Sequence, residues 1–71
     1  MKFSELKKLK KGNRILVNKS YFSEVHKVKD PVSKSKRTMI VKSVMIEEFW
    51  RGVYTENEIH VHLKYIKKQI T

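Results

Sequence analysis

The chain has 71 residues, no cysteine, two isolated glycines and a formal net charge of +10. A chain of this length forms one domain with a small core, so a deep substrate cleft or an internal cofactor is not expected. The lack of cysteine excludes disulfides and thiolate zinc sites, and no apolar run reaches the roughly 20 residues that cross a bilayer. We therefore expect a single cytoplasmic domain over residues 1–71, with no cofactor.

The positive charge is concentrated in the first part of the chain. Residues 1–42 contain 13 Lys or Arg and three acidic residues, whereas residues 43–71 contain four of each kind. The whole excess of +10 therefore lies in residues 1–42. Such an uneven distribution is typical of a surface that attracts a polyanion, although small domains also carry charge simply to stay in solution.

The opening segment "FSELKKLKKG", residues 3–12, predicts one or two turns of helix. Phe3, Leu6 and Leu9 recur every three residues and would form a narrow apolar stripe against the core. Ser4 is placed to cap the first turn, and Gly12 is placed to end the segment. Three apolar anchors are too few for a helix that lies on a membrane, so we expect this helix to pack on the domain.

Two apolar segments predict strands on either side of a long basic stretch. "NRILVN", residues 13–18, is short and rich in branched residues, and "RTMIVKSVMIEEFW", residues 37–50, is rich in β-branched and aromatic types. In residues 37–50, neither set of alternate positions is consistently apolar. This segment is therefore either two strands with a turn or bulge near Lys42-Ser43, or one long strand that bends and changes its inward face.

The last third of the chain predicts two turns and two further strands. Arg51-Gly52 favours a tight turn because glycine accepts positive φ, and "TENE", residues 55–58, favours a second turn. Apolar and polar residues then alternate as in a strand with one buried face: Ile59, Val61 and Leu63 against His60, His62 and Lys64. "YIKKQIT", residues 65–71, would add one helical turn and a final strand near Ile70.

About five short strands in a chain of this length favour a small, mainly all-β barrel, because closure removes exposed sheet edges. The expected order is a strand, a long loop, three strands joined by short turns, one helical turn and a last strand. That order is similar to an SH3-like barrel, with a short N-terminal helical turn and a long first loop over residues 19–37. An OB-type barrel is the alternative, but it usually needs a longer chain.

Three segments carry a resemblance to a known family: "KKGNRILV", "TMIVKSVMIEEFWRGVY" and "IHVHLKYIKKQI". Over its whole length the chain resembles the YorP family of short prophage-encoded proteins, which have an SH3-like barrel and no established activity. The resemblance implies the barrel and a prophage context, where small basic proteins often act on nucleic acid or on host machinery. It carries over no functional residue. The RNA-contacting SH3-like motif of ribosomal proteins has a glycine-bearing turn after its first strand, which "NKSYFSEVHKVKD" lacks.

The sequence predicts neither a metal site nor a catalytic site. Glu58, His60 and His62 share one face of a strand, but a zinc site normally needs a donor from a second element, so we interpret this face as solvated. Glu47 and Glu48 are adjacent and point to opposite faces of a strand. No glycine-rich phosphate loop or nucleophile elbow is present. We expect no bound metal and no enzymatic activity.

Basic and aromatic residues predict the binding surface. Lysine and arginine neutralise phosphates, and exposed aromatic rings stack on unpaired bases. In the long loop we place Phe22 inward and Tyr21 outward. With only three arginines in the chain, binding to DNA or RNA would have little sequence specificity. The predicted interface consists of Lys7, Lys8, Lys10, Lys11, Lys27, Lys29, Lys34, Lys36, Arg37 and Tyr21.

The alternative function is that of a protein-interaction module, which would bind a host or phage protein with an acidic surface or a peptide in the barrel groove. Trp50 and Tyr54 would line this groove, as aromatic residues do in peptide-binding SH3 domains. Trp50 can also be explained by core packing, since a small barrel needs large side chains to fill it. For either function we expect a monomer.

Overall fold

Five antiparallel strands form one sheet in a computed structural model of the chain, which describes residues 1–29 and 32–71. The strands are β1 (Arg14–Val17), β2 (Thr38–Ile46), β3 (Arg51–Thr55), β4 (His60–His62) and β5 (Ile66–Gln69). Their order in the sheet is β4-β3-β2-β1-β5, so the first and last strands are neighbours. The mainly β, SH3-like architecture predicted from the sequence is confirmed.

In the described residues, two short α-helices and two 3₁₀ turns accompany the strands: α1 (Phe3–Leu6), α2 (Lys19–Glu24), and the turns Ser35–Arg37 and Leu63–Tyr65. A helical turn precedes the last strand as predicted, but it lies at Leu63–Tyr65 rather than within residues 65–71, and β5 ends at Gln69, before Ile70. α2 lies within the segment predicted as a loop, whose Asp30 and Pro31 are outside the described residues. The longest described helix has six residues, and none in the described ranges is long and apolar enough to cross a membrane.

β2 bends at a bulge between Val41 and Ser43. Its first half pairs with β1 and its second half pairs with β3, so this strand belongs to both halves of the barrel. An extra residue in one strand bends the chain and changes which side chains face inward. Met39 and Val41 face the core before the bulge, and Val44 packs against the core after it. One long bent strand, the second of the two predicted arrangements, is therefore the correct one.

The turn between β2 and β3 comprises residues 47–50, where the Glu47 N–H donates to the Trp50 carbonyl oxygen at 2.9 Å. The prediction of a turn at Arg51-Gly52 was wrong, since both residues belong to β3. Gly52 is required there for a different reason. A Cβ at this position would collide with the Val61 carbonyl oxygen and would lie 2.7 Å from the Trp50 indole, so only glycine permits this close approach.

The core is formed by the inward faces of the strands together with residues from both helical regions. Its buried members are Leu6, Leu9, Ile15, Val17, Tyr21, Met39, Val41, Val53, Val61 and Ile66. Of the residues predicted inward at β4, Val61 is fully buried, while Ile59 and Leu63 pack against the core from partly buried positions. The period-2 pattern thus identified the correct face of β4.

The first twelve residues are attached to the sheet at both ends. The Met1 ammonium donates to the Ile66 carbonyl oxygen in β5, and the Gly12 N–H donates to the Val41 carbonyl oxygen in β2 at 2.8 Å. Leu6 and Leu9 are buried between these two attachments, as their spacing predicted.

α1 is capped differently from the prediction. The helix begins at Phe3, so Lys2 rather than Ser4 occupies the N-cap position. The Lys2 N–H donates to the Glu5 carboxylate at 3.1 Å. A carboxylate in the first turn also suits the positive end of a helix.

Candidate functional site

All eight lysines predicted to contact nucleic acid are exposed. Four follow α1 and four lie between α2 and β2: Lys7, Lys8, Lys10 and Lys11, then Lys27, Lys29, Lys34 and Lys36. An exposed ammonium loses little hydration when it approaches a phosphate, and its flexible stem lets it adjust to the phosphate position. Both groups can therefore take part in anion binding without a change in the fold.

The N-terminal group of lysines projects from a backbone that is fixed by local hydrogen bonds. The Lys10 N–H donates to the Asn13 side-chain oxygen at 2.8 Å, and the turn passes through Gly12, which has φ +92°. Because Gly12 bonds to Val41, the turn containing Lys10 and Lys11 lies beside the middle of β2. Lys10 and Lys11 therefore lie close to the bulge.

The loop lysines are held by a second set of backbone hydrogen bonds. The Val28 N–H donates to the Phe22 carbonyl oxygen at 2.9 Å. This bond closes a turn that contains Lys27, whose φ is 57°. Further along, the Lys36 N–H donates to the Ser33 carbonyl oxygen at 3.1 Å. Within the described residues 22–29 and 32–37, the predicted loop thus contains two backbone turns, and its lysine side chains are exposed to solvent.

Arg37 does not belong to the predicted interface. Its side chain is only 8% exposed, and Nη1 donates to the Val17 carbonyl oxygen at 3.0 Å while Nε donates to the Val32 carbonyl oxygen at 3.2 Å. The guanidinium group thus joins the long connection to the end of β1. Its burial argues against the predicted contact between Arg37 and nucleic acid, and two of its five N–H donors are bound to carbonyl oxygens within the fold.

Tyr21 was also assigned to the interface incorrectly. It lies on α2 and is 3% exposed, with its ring edge-on to that of Tyr65 at a centroid distance of 5.3 Å. Its hydroxyl faces the His60 carbonyl oxygen at 3.5 Å. Phe22, predicted inward, packs against the core from a partly buried position, whereas Tyr21, predicted outward, is the more deeply buried of the two. Burial, with a smaller contribution from Tyr65, raises the pKa of Tyr21 above its usual 10.0.

Trp50 and Tyr54 belong to a group of rings on the outward face of β3 and β4. We call this group, Tyr54, His60, Trp50 and His62, the aromatic strip. The Tyr54 and His60 rings lie 4.6 Å apart at 33°, and the Trp50 ring stands edge-on to His60 at 6.0 Å and to His62 at 5.6 Å. Each ring therefore contacts at least one other member of the strip.

The register of β3 and β4 explains how the strip forms. Tyr54 pairs with His60 and Gly52 pairs with His62, on the face opposite the fully buried Val53–Val61 pair. Directly opposed residues in a sheet bring their side chains within contact distance. Since Gly52 has no side chain, the Trp50 indole occupies the space above it.

Sequence reasoning placed His60 and His62 on one solvated face but missed their contacts with Trp50 and Tyr54. It also missed Lys42, whose Nζ lies 5.6 Å from the centre of the Tyr54 ring. The available signal was the alternation of residues 58–64, which puts both histidines on one face. No comparable sequence signal indicates that the Trp50 indole lies above Gly52.

Two shallow hollows adjoin these surfaces. One, of about 260 Å³, lies at the end of the strip and is lined by Glu48, Phe49, Trp50, Arg51, His62 and Leu63. Phe49, at the tip of its turn, is 91% exposed. The other, of about 250 Å³, lies between α2 and the following loop and includes Lys19 and Lys29. Both are smaller than most small-molecule sites.

The carboxylates and histidines do not assemble into a metal centre in the described part of the chain, where no three such residues come together. His60 and His62 make ring contacts with Trp50 instead. Glu58 lies in the turn before β4 with φ 63°. The arrangement offers cationic and aromatic contacts to a ligand.

No known family model, curated protein or solved structure matches this chain. The resemblance to the YorP family accordingly stays a prediction. The function is therefore argued from the geometry and charge of the chain itself.

Proposed function

We propose that the protein is a non-enzymatic nucleic-acid-binding module that uses a lysine-rich surface with little sequence specificity. One observation carries the proposal: eleven exposed lysines, including all eight of the predicted interface, lie in residues 1–42, the segment that holds the whole net charge of +10. Lysines that neutralise phosphates release condensed counterions, and this release supplies most of the free energy of non-specific binding. DNA and RNA are both candidate partners.

The state of the three arginines supports low sequence specificity. Arg37 donates to two carbonyl oxygens, and the Arg14 Nε donates to the Thr71 hydroxyl at 2.9 Å. The Arg51 guanidinium lies 4.0 Å above the centre of the Phe3 ring. Bidentate contacts from arginine to guanine are the commonest specific base contacts. Arg37 is buried, and the two exposed arginines are far outnumbered by exposed lysines, so binding depends mainly on lysines, which read charge rather than sequence.

The test is a fluorescence anisotropy titration with labelled single-stranded and duplex oligonucleotides of mixed sequence over a series of salt concentrations. We expect binding at low salt, and the logarithm of the association constant should fall linearly with the logarithm of the salt concentration. The slope would be about −0.7 per phosphate neutralised on a single strand and about −0.9 on a duplex. The absence of binding to both forms at low salt would contradict the proposal.

A protein-interaction module is the second candidate. It is favoured by the apolar tip of the β2–β3 turn, where the exposed Phe49 and the half-exposed Ile46 lie next to Trp50. Exposed apolar groups rimmed by polar residues often mark protein contacts. In the prophage context implied by the YorP resemblance, the partner would be a host or phage protein.

This second candidate is tested by affinity capture from nuclease-treated lysate with the wild-type chain and a Phe49→Ser variant. A partner retained by the wild type and lost with the variant would support it. Equal recovery with both chains would argue against the use of this tip.

A further inference from the structure

The aromatic strip is a set of contiguous rings on an open sheet face. The residues opposite it, Val53 and Val61, fill the core, so the strip itself is not needed to close the barrel interior. His60 is exposed, and Tyr54, Trp50 and His62 are only partly buried. Rings in this position can offer both edges and faces to a flat ligand.

The strip lies next to positive charge. Lys42 lies over the Tyr54 ring, and the Gly12–Val41 hydrogen bond brings the turn containing Lys10 and Lys11 beside the same part of β2. A ligand that lies on the Tyr54 end of the strip would therefore meet cationic groups. An anionic chain that carries flat rings fits this combination.

The acidic residues lie at the turns rather than within the strip. Glu48 is in the β2–β3 turn, and Glu56 and Glu58 are in the β3–β4 turn. The strip itself contains no carboxylate, so a polyanion can approach its middle. In a duplex the base faces are already stacked and cannot reach these rings, whereas unpaired bases can.

We propose that the aromatic strip stacks unpaired bases of a single-stranded nucleic acid whose phosphates contact Lys42 and the neighbouring lysines. The inference rests on the proposed nucleic-acid binding and assigns it a base-contacting surface that favours single strands. Base stacking tolerates any sequence because every base has a flat face. A preference for single strands without sequence specificity is the expected behaviour.

Trp50 is the only tryptophan of the chain, so its fluorescence reports directly on the strip. The probes are a single-stranded DNA, an abasic strand of the same length and a duplex, each titrated at two salt concentrations. We expect the single strand to quench Trp50 and to bind about fivefold to 150-fold more tightly than the abasic strand, the range for stacking of one base. The abasic strand and the duplex should leave Trp50 fluorescence nearly unchanged.

A Tyr54→Leu variant tests the strip with the lysines intact, and Phe22→Leu is the matched control that removes a partly buried ring outside the strip. Tyr54→Leu should lose most of the preference for bases over abasic sites and keep its affinity for the abasic strand. Phe22→Leu should keep both. Circular dichroism shows whether the variants fold. If Tyr54→Leu does not fold, the stacking proposal is tested by comparing how the wild-type chain binds the three probes.

The outcomes separate this inference from the proposed function. Equal affinity for single and abasic strands, with no change in Trp50 fluorescence, would overturn stacking on the strip and leave lysine-mediated binding in place. No binding to any probe at low salt would overturn both. A Trp50 response to an acidic peptide, together with none to the oligonucleotides, would also overturn stacking and assign the strip to a protein partner.

Discussion

Gly52 controls how closely Trp50 and β4 approach β3. Its missing side chain leaves space that the Trp50 indole fills, and the Val61 carbonyl oxygen lies against the same position. A backbone oxygen in a paired strand cannot move as freely as a side-chain end. The glycine is therefore a packing requirement of the sheet and of the aromatic strip together.

Replacing Gly52 with alanine should destabilise the protein by about 1–3 kcal/mol, the usual effect of adding a methyl group to a tightly packed position. The measurement is the free energy of unfolding from urea denaturation, with Trp50 fluorescence as the probe. A change smaller than about 0.5 kcal/mol, the size expected for an ordinary surface substitution, would contradict this account.

Gly12 provides the contrasting control. A Cβ at Gly12 would meet no atom within 4 Å, but the residue has φ +92°, which L-residues with a side chain rarely adopt. Gly12→Ala should therefore destabilise by strain alone, by about 1–2 kcal/mol. Gly12→Asn should recover part of the loss, because asparagine tolerates positive φ better. No such recovery is expected for Gly52→Asn.

Tyr21 should make the stability fall at alkaline pH. Burial raises its pKa in the folded state, so above about pH 10 the unfolded chain ionises this phenol while the folded chain keeps it protonated. Ionisation in the unfolded chain favours unfolding. The stability that the protonated Tyr21 contributes is complete below its pKa in the unfolded chain and is lost as the pH rises through its pKa in the folded protein. The free energy of unfolding should therefore fall more steeply as the pH rises above about 10 in the wild type than in Tyr21→Phe.

The difference between these two chains is informative because lysines and the other tyrosines titrate in the same range in both. Parallel pH profiles for wild type and Tyr21→Phe would show that Tyr21 does not contribute. At neutral pH the Tyr21→Phe variant should be nearly as stable as the wild type, since its hydroxyl makes only one long hydrogen bond, at 3.5 Å.

Arg37 should contribute to stability rather than to ligand binding. Arg37→Ala removes both donors and leaves the buried Val17 carbonyl oxygen without this partner, so we expect a loss of about 1–3 kcal/mol in urea denaturation. The neighbouring exposed Lys36 is the control, and Lys36→Ala should change stability by less than about 0.5 kcal/mol. If Arg37→Ala weakened oligonucleotide binding without a loss of stability, Arg37 would belong to the interface after all.

Among the elements, β2 and β4 were predictable because their signals are local. β-branched residues and alternation identified both strands, and the mixed phase of residues 37–50 located the bend at Lys42-Ser43. These features follow from which neighbouring residues can face a core together. They do not depend on distant parts of the chain.

α2 was not predictable in the same way. The segment "KSYFSE" has no side-chain cap in the structure and no apolar stripe longer than one turn, so local preferences give little reason for a helix. The helix is stabilised by burial of Tyr21 against Tyr65, which comes from the other end of the chain. The orientation of Tyr21 depends on the same distant contact, and this is why it was wrongly placed outward.

The β2–β3 turn was misplaced for a related reason. Glycine is the usual sign of a tight turn, but here the turn uses Glu48-Phe49 and the glycine serves a close contact between strands. The position of Trp50 in the strip follows from this arrangement. A period-2 pattern could place the histidines on one face, but it could not show that a tryptophan from the turn would lie between them.

For the whole molecule, the proposed interface depends on where the charge lies and not only on its total. Residues 1–42 hold the excess of +10, whereas β5 lies in the electrically neutral part and also carries two exposed lysines, Lys67 and Lys68. This allows two variants with the same change in net charge at different positions: Lys7→Gln with Lys8→Gln, and Lys67→Gln with Lys68→Gln. A purely generic attraction to the net charge would not distinguish them.

We expect the Lys7/Lys8 variant to weaken single-strand binding at low salt and to lower the magnitude of the salt slope by about 0.7 for each phosphate contact that is lost. The Lys67/Lys68 variant should retain the wild-type slope and show only a small loss of affinity from the reduced net charge. The measurement is anisotropy over the same salt series for all three chains. Equal losses in both variants would mean that no face is preferred, because each lysine would then act only through the overall field of the molecule.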